Sequence, residues 1–424
     1  MTNLPNVNKT ILDNGIRILT HQMPYTRSVS MGVWVNVGAR DESLDESGMS
    51  HFIEHMIFKG TKKRTAYQIA KEFDAIGGQT NAFTTMENTC YHARVMDTHL
   101  ETMVDILSDI FLNSTFSQSE IEKERPVVIQ EISMVEDSPE EFIHILSGLN
   151  YWGEHPLSRS ILGTRENILT FDSKSIKSFF KRFYQPDRIV VAFAGNLEHN
   201  HIIDLVSKPF SRIKPGKPLP EREAPGKNTT VSVYEKDLEQ VHLCLNTNGL
   251  PITDKRRYAC SLMNTILGGN MSSRLFQEIR EKHGLAYVIY SYVSSYVDTG
   301  MFGVYVGVEN KNAALTTQII LDNIKKLKSV LVDEGELKDA KEYTKGCMLL
   351  SSESIDNQMV RLAQNEIHFN RYIHIEEILS NLETVTAEEL LNLAKNLFDD
   401  NQYALTVLGP VSDTGPFESI LTKQ

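Results

Sequence analysis

The hydrophobic period along this chain switches repeatedly between two and about 3.6 residues. Apolar residues flank Asp13-Asn14-Gly15, a tight-turn signal, and predict a β-hairpin over 11–21. Residues 29–37, Val-Ser-Met-Gly-Val-Trp-Val-Asn-Val, alternate apolar with small or polar side chains and predict a strand. Then the period lengthens. Met49, Phe52, Ile53 and Met56 fall at i, i+3, i+4 and i+7, an apolar helical face, with Gly60 as the expected stop after Lys59. Thr65 and Gln68 read as a capping box for a helix whose Tyr67, Ala70 and Phe73 are consistent with one face and which ends at Gly77-Gly78. Leu100, Met103, Val104, Leu107 and Phe111 predict another amphipathic helix.

The pattern breaks over 213–230, where four prolines and two glycines leave no room for an element interior. We therefore divide the chain into a domain at 1–214, a linker at 215–229 and a domain at 230–424. Beyond the linker, 241–247 and 301–308 read as strands and 314–327 as a helix. Only a faint echo links the halves, Ile76-Gly77-Gly78-Gln79-Thr80-Asn81 against Leu267-Gly268-Gly269-Asn270. By pattern alone, the chain holds two mixed domains.

Composition narrows the class. The 424 residues suffice for two substantial cores, and 41% hydrophobic with 23% charged content is ordinary for globular chains. A formal charge of −12 argues against nucleic-acid binding and is compatible with basic or flexible peptides. Cys90, Cys244, Cys260 and Cys347 are too far apart for CxxC chemistry and are expected to pack as small buried residues. No apolar run is long enough to cross a membrane, so no membrane partner is expected. The first residues lack the basic and apolar regions of a signal peptide, and the Arg-rich pattern of an organellar one. The expectation is a cytoplasmic, bacterial protein, with a processed organellar form less favoured.

The helix at 49–56 has an unusual second face. His51, Glu54, His55 and Phe58 share it, where an ordinary solvated face would carry Lys and several Glu. Two imidazoles at i and i+4 suit zinc, and the carboxylate between them can serve as general base in a hydrolysis. A third protein ligand is then required. The acid-rich segment 119–132 supplies candidates, with Ser119 and Glu122 as an expected capping box. Glu124 and Glu131, two turns apart, project from one helical face. Either could bind metal while the other orients a ligand histidine.

His51-x-x-Glu54-His55, followed by Glu131, resembles the inverted zinc motif of the M16 metallopeptidases, the inverzincin pattern. The similarity continues in Asn81-Ala82-Phe83-Thr84, in Glu87-Asn88-Thr89-Cys90-Tyr91 and in Pro156-Leu157-Ser158-Arg159-Ser160-Ile161-Leu162-Gly163. In the second half Arg280-Glu281-Lys282-His283-Gly284-Leu285-Ala286-Tyr287 resembles the family's Arg-x6-Tyr motif. The resemblance spans nearly the whole chain and points to the bacterial branch similar to the mitochondrial processing peptidase.

It implies an α+β fold of two similar, duplicated domains, each a mainly antiparallel sheet packed with helices, together forming a clamshell. The first domain would be catalytic; the second would contribute only substrate-binding residues. It implies one Zn²⁺ per chain on His51, His55 and Glu131, Glu54 as general base, and Glu124 as the acceptor orienting a ligand histidine. Asn81, Ala82 and Phe83 would bind substrate as an added strand. Arg280 would fix its backbone, and Tyr287 would donate to the oxyanion. The implied activity is a zinc endopeptidase acting on peptides or unfolded proteins, working as a homodimer. The competing reading is a non-catalytic peptide-binding or scaffold subunit, which the complete set of His51, Glu54, His55 and Glu131 disfavours.

Two departures stand out. Pro126 is expected to kink the helix between Glu124 and Glu131. Where the mitochondrial enzymes place a second acidic residue to read arginine, this chain has Ile145 after Glu141, which argues against strong selection for that residue. Phe52 and Phe83 are candidates for an apolar pocket beside the scissile bond.

Overall fold

The computed structural model describes residues 6–422, which pack as two compact units. The first contains the chain up to Ser133, Arg159–Glu221 and Leu350–His374. The second contains Met134–Ser158, Arg222–Leu349 and the chain from Ile375 onward.

The first unit is built on β1 (Asn6–Ile11), β2 (Arg17–Gln22), β3 (Ser28–Val35), β4 (Gln79–Thr84), β5 (Thr89–Met96) and β6 (Ile189–Gly195). They form one sheet in the order β1-β2-β6-β3-β5-β4, parallel only between β2 and β6. The second unit holds β7 (Val231–Glu235), β8 (Val241–Asn248), β9 (Ala286–Ser295), β10 (Gly300–Val308) and β11 (Ala404–Gly409). Their order is β7-β11-β8-β10-β9, parallel only between β7 and β11. The path β2-β6-β3-β5-β4 thus repeats as β7-β11-β8-β10-β9 with the same sense at every pairing. The duplication is explicit in the topology.

Among the helices, α1 (Met49–Met56), α2 (Ala66–Ala75), α3 (Leu100–Asn113) and α4 (Gln118–Asp137) precede α5 (Pro139–Trp152). Then come α6 (Arg165–Thr170), α7 (Ser173–Phe183) and α8 (His199–Phe210). After the linker follow α9 (Arg257–Leu267), α10 (Ala313–Ser329), α11 (Glu334–Ser352), α12 (Ile355–Phe369), α13 (Ile375–Thr384), α14 (Ala387–Leu397) and α15 (Gly415–Leu421).

The strand period sorts β3 between two cores. Val29, Met31, Val33 and Val35 join Met49, Phe52, Ile53, Met103, Leu107 and Phe179 on one face of the first sheet. Trp34 points the other way and packs with Ile355, Met359, Leu362 and Ala363 of α12. Gly32 lies under that helix: a Cβ there would meet the Met359 sulfur, so the methionine side chain would have to shift to admit one. Trp34 Nε1 donates to Met359 Sδ at 3.3 Å, and Arg94 pairs with Asp356 at 2.9 Å.

In the second unit α5 takes the matching place. Its Ile143 and Leu146 pack with Cys244, Tyr305 and Leu408, while Asn150 Nδ2 donates to the Leu405 carbonyl at 3.2 Å. A single division at 215–229 therefore does not describe the packing, because α5 belongs to the second unit and α12 to the first. An amphipathic helix records that it must bury a face, not which sheet buries it.

Several local expectations hold. The hairpin at 11–21, the strands at 29–37, 241–247 and 301–308, and the α3 face are all present. Others change. Tyr67 and Ala70 of α2 are exposed or lie outside its core face, and Ile69 with Phe73 forms the buried pair. The capping box at Thr65 fixes where α2 starts, whereas its neighbours fix which face is covered. Helix α1 ends at Met56, so Gly60 shapes the following turn rather than the helix end. Ser119 lies inside α4, whose first bonds reach the Ser117 carbonyl from Glu120 and Ile121, both at 3.1 Å. Helix α4 continues as one element through Pro126, which deletes a single i→i−4 bond. Cys347 is exposed; the other three cysteines are buried, and all four are free thiols.

Candidate metal centre

Helix α1 opens at Gly48, whose φ of 96° is a left-handed conformation that favours glycine. No side chain of the N-cap residue caps it. Instead the buried Glu42 reaches in, Oε2 accepting from Gly48 N at 2.8 Å and Oε1 from Ser50 N at 2.7 Å. These two bonds satisfy amides that the first turn leaves open, and they pin the turn that carries His51.

From that turn His51 and His55 present their rings 4.7 Å apart. Glu131, from α4, faces both: His51 Nε2 lies 3.7 Å from its Oε1 and His55 Nε2 lies 3.4 Å from its Oε2. One donor atom from each of the three residues falls within 4.8 Å of the others. The His51 ring is buried, and the Glu131 side chain is 41% exposed, so the cluster opens to solvent on its Glu131 side.

The protonation pattern suits a cation. His55 Nδ1 lies 2.9 Å from Glu124 Oε1, and a carboxylate can only accept, so Nδ1 carries a proton and Nε2 is the ring nitrogen turned toward Glu131. Glu124 is held in turn by Lys59, whose Nζ is 2.6 Å from Oε2. Burial works against the Glu124 charge, but His55 and Lys59 outweigh it and hold the carboxyl below its usual range. Burial, aided by His55, pushes His51 down to about 4, leaving that imidazole neutral near pH 7. Burial works against a charge on His55, but Glu124, Glu131 and Glu54 outweigh it and hold that imidazole above its usual range, so a cation at Nε2 would displace a proton. Two imidazoles and a carboxylate are the donor set of an open catalytic zinc site. His51 Nδ1 is buried without a partner among the described residues.

Glu54 stands beside this cluster. Burial raises its carboxyl above the usual range, against a hydrogen bond from Thr84 that favours the charge. Thr84 Oγ1 donates to Glu54 Oε2 at 2.5 Å, linking that carboxylate to the last residue of β4. β4 is the sheet edge: Gln79, Thr80 and Asn81 are exposed and Ala82 half-buried, with β5 the sole pairing partner among the described residues. Asn81 Oδ1 accepts from Ala82 N at 2.9 Å. Phe83 is half-buried, edge-on to Trp34 at 5.3 Å. Phe52 is wholly buried against Phe171, a core residue and not part of an open pocket.

Arg280 and Tyr287 come together in the second unit. Arg280 sits on a π-helical turn, Phe276–Lys282, its guanidinium 4.6 Å from the Tyr287 ring centre and 4.8 Å from that of Phe276. Tyr287, at the start of β9, is 75% exposed. Three further residues matter to the first unit's cluster: Thr84, Lys59 and Glu42. Lys59 follows His55 by one helical turn, a spacing the sequence displays; nothing local marks the other two.

Comparison with known proteins agrees with this geometry. Residues 17–165 match the model of the insulinase family, peptidase family M16, and residues 170–343 match that of the M16 inactive domain. A Bacillus subtilis protein named uncharacterized zinc protease YmxG is 41% identical over 94% of this chain and 97% of its own. An uncharacterized zinc protease of Rickettsia felis is 37% identical over 96% of this chain and 98% of its own. The crystal structure of a Helicobacter pylori protease superposes with a TM-score of 0.90 at 23% identity, covering 96% of this chain and all of that one. By both halves and nearly full length, this chain belongs to peptidase family M16.

Proposed function

We infer that the protein is a zinc-dependent endopeptidase that hydrolyses unfolded or extended peptides. The observation that carries this reading is the convergence of His51, His55 and Glu131, with Glu54 beside them and bonded to the end of an open sheet edge. The zinc proteases that resemble it over nearly their whole length support the same chemistry. Zinc held by those three residues supplies a Lewis acid that polarises the scissile carbonyl and lowers the pKa of water toward about 7.

The chain's own residues do the rest. Thr84 occupies Glu54 Oε2, which leaves Oε1 to take a proton from the attacking water and return it to the leaving amine. Glu124 and Lys59 fix the His55 tautomer and ring. A substrate strand adds to β4 through main-chain bonds along Asn81, Ala82 and Phe83, a mode that selects extension over side-chain identity. Arg280 holds the substrate backbone and Tyr287 donates to the developing oxyanion.

Metal analysis by mass spectrometry, with cleavage of a quenched peptide library, tests this in wild type and Glu54→Gln. One zinc per chain in both, with cleavage in wild type alone, is the expected result. Protein that takes up no zinc after its addition, or a Glu54→Gln variant as active as wild type, would overturn it.

A further inference from the structure

We propose that a recess formed by α3, α7 and α8 is a binding site for a small apolar monocarboxylate. The recess is a cavity of about 620 Å³ within the first unit and shares no residue with the metal centre. That volume suits a ligand the size of a substituted bicyclic ring.

Its lining mixes apolar and polar side chains, with three aromatic residues on the apolar part. Phe180 and Tyr184 stack with ring centres 4.0 Å apart, and Phe111 lies 6.0 Å from the first and 5.9 Å from the second. Leu205, Pro209 and Ile213 close the opposite side. Phe111 and Tyr184 are buried, so half-buried Phe180 is the ring that a guest would meet, by stacking in addition to area burial.

The polar residues select the guest's charge. The two aspartates of the lining are engaged by neighbouring cations. Asp109 Oδ2 accepts from Thr61 and from Arg64, both at 2.8 Å, and Oδ1 from Asn113 at 2.9 Å. Asp105 is paired with Lys63 at 2.9 Å and with Arg64 at 2.5 Å, and Glu101 faces His201 at 3.4 Å. The aspartates therefore carry their own cations, which leaves less negative charge to draw in an amine or a metal cation. Arg212 is the opposite case: it lines the recess and forms no ion pair among the described residues. Ser108 Oγ, buried in the same lining, has no hydrogen-bond partner among them either. Burying a hydroxyl unpaired is unfavourable, so an oxygen acceptor entering the recess is favoured. One cation without an ion pair, one unsatisfied hydroxyl and an apolar part that includes Phe180, Leu205 and Ile213 together describe an apolar body bearing an anionic oxygen group.

Isothermal titration of the full chain with 2-naphthylacetate, and with the neutral 2-(2-naphthyl)ethanol, tests the assignment. The acid should bind saturably at one site per chain, and the alcohol roughly tenfold more weakly, the worth of one charge-assisted bond at a partly exposed cation. Arg212→Gln should weaken the acid by the same factor and leave the alcohol unchanged. Leu205→Trp, which fills the recess, should abolish both while the circular dichroism spectrum is retained. Absence of saturable binding, equal affinity for acid and alcohol, or an Arg212→Gln variant that binds the acid as wild type does would overturn the proposal.

Discussion

Glu124→Gln is the sharpest perturbation of the metal centre, because the geometry there asks for two acceptors on one side chain. Glu124 Oε1 takes the His55 Nδ1 proton at 2.9 Å and Oε2 takes Lys59 at 2.6 Å, with the side chain only 8% exposed. Glutamine offers one acceptor and one donor. If its oxygen faces Lys59, its NH2 meets His55 Nδ1 and drives the proton to Nε2, removing the lone pair that faces Glu131. If its oxygen faces His55, the NH2 group is set against the ammonium of Lys59. Both orientations also delete a negative charge near the cation site, so every contribution has the same sign. Outer partners of ligand histidines are typically worth about 10–100-fold in metal affinity. We expect zinc binding to weaken by roughly 50-fold, about 2.3 kcal/mol. Competition against a chromophoric chelator at fixed pH reads this directly. Lys59→Met separates the causes: if Glu124 acts by orienting His55, that variant also binds zinc more weakly, whereas charge alone would make it bind more tightly. Wild-type affinity in Glu124→Gln would refute the reasoning.

Thr84→Val should lower kcat by about tenfold through loss of a charge-assisted hydrogen bond to Glu54, with zinc content intact; unchanged turnover would remove Thr84 from the mechanism. Phe52→Ala should cost about 3–5 kcal/mol of stability, the range for a buried phenylalanine, and leave the product pattern unaltered. A shifted cleavage pattern at wild-type stability would restore the pocket reading that the buried ring contradicts. Burial pushes the Glu42 carboxyl up to about 8, against bonds from Ser50 and Gly48 that favour its charge. A carboxyl raised on folding binds its proton more tightly in the folded chain. Its contribution to stability is therefore complete below about 4.5 and is lost as the pH rises through about 8. Glu42→Gln, which cannot ionise, should show a melting temperature that varies less than wild type between pH 5 and 8; identical slopes would contradict the assignment.

What the sequence can reveal tracks the range over which each feature is determined. The α1 stripe of Met49, Phe52, Ile53 and Met56 and its His51–His55 face depend on residues within two turns, and both are legible in the sequence itself. Tyr67 shows where this stops: the Thr65–Gln68 box fixes the start of α2, yet the buried face is chosen by the sheet and helix it meets, and Ile69 and Phe73 are taken instead. Glu131 lies far from His55 in sequence, and spacing alone leaves it level with Glu124. The geometry separates them, since Glu124 spends both oxygens on His55 Nδ1 and Lys59 while Glu131 faces both Nε2 atoms. Thr84 is visible as part of an edge strand, but its tie to Glu54 requires β4 and α1 to be neighbours in space. The placement of α5 and α12 is least legible of all. Each has an apolar stripe that suits either sheet, and the choice rests on pairs such as Trp34–Met359 and Asn150–Leu405, separated by hundreds of positions. Chemistry that fits within one helix can be read from sequence, whereas the residues that tune it come from strands and turns brought in by the fold. Variants of Thr84, Lys59 and Glu42 are therefore where activity and motif should part: each keeps His51-x-x-Glu54-His55 intact while altering the environment that makes it work.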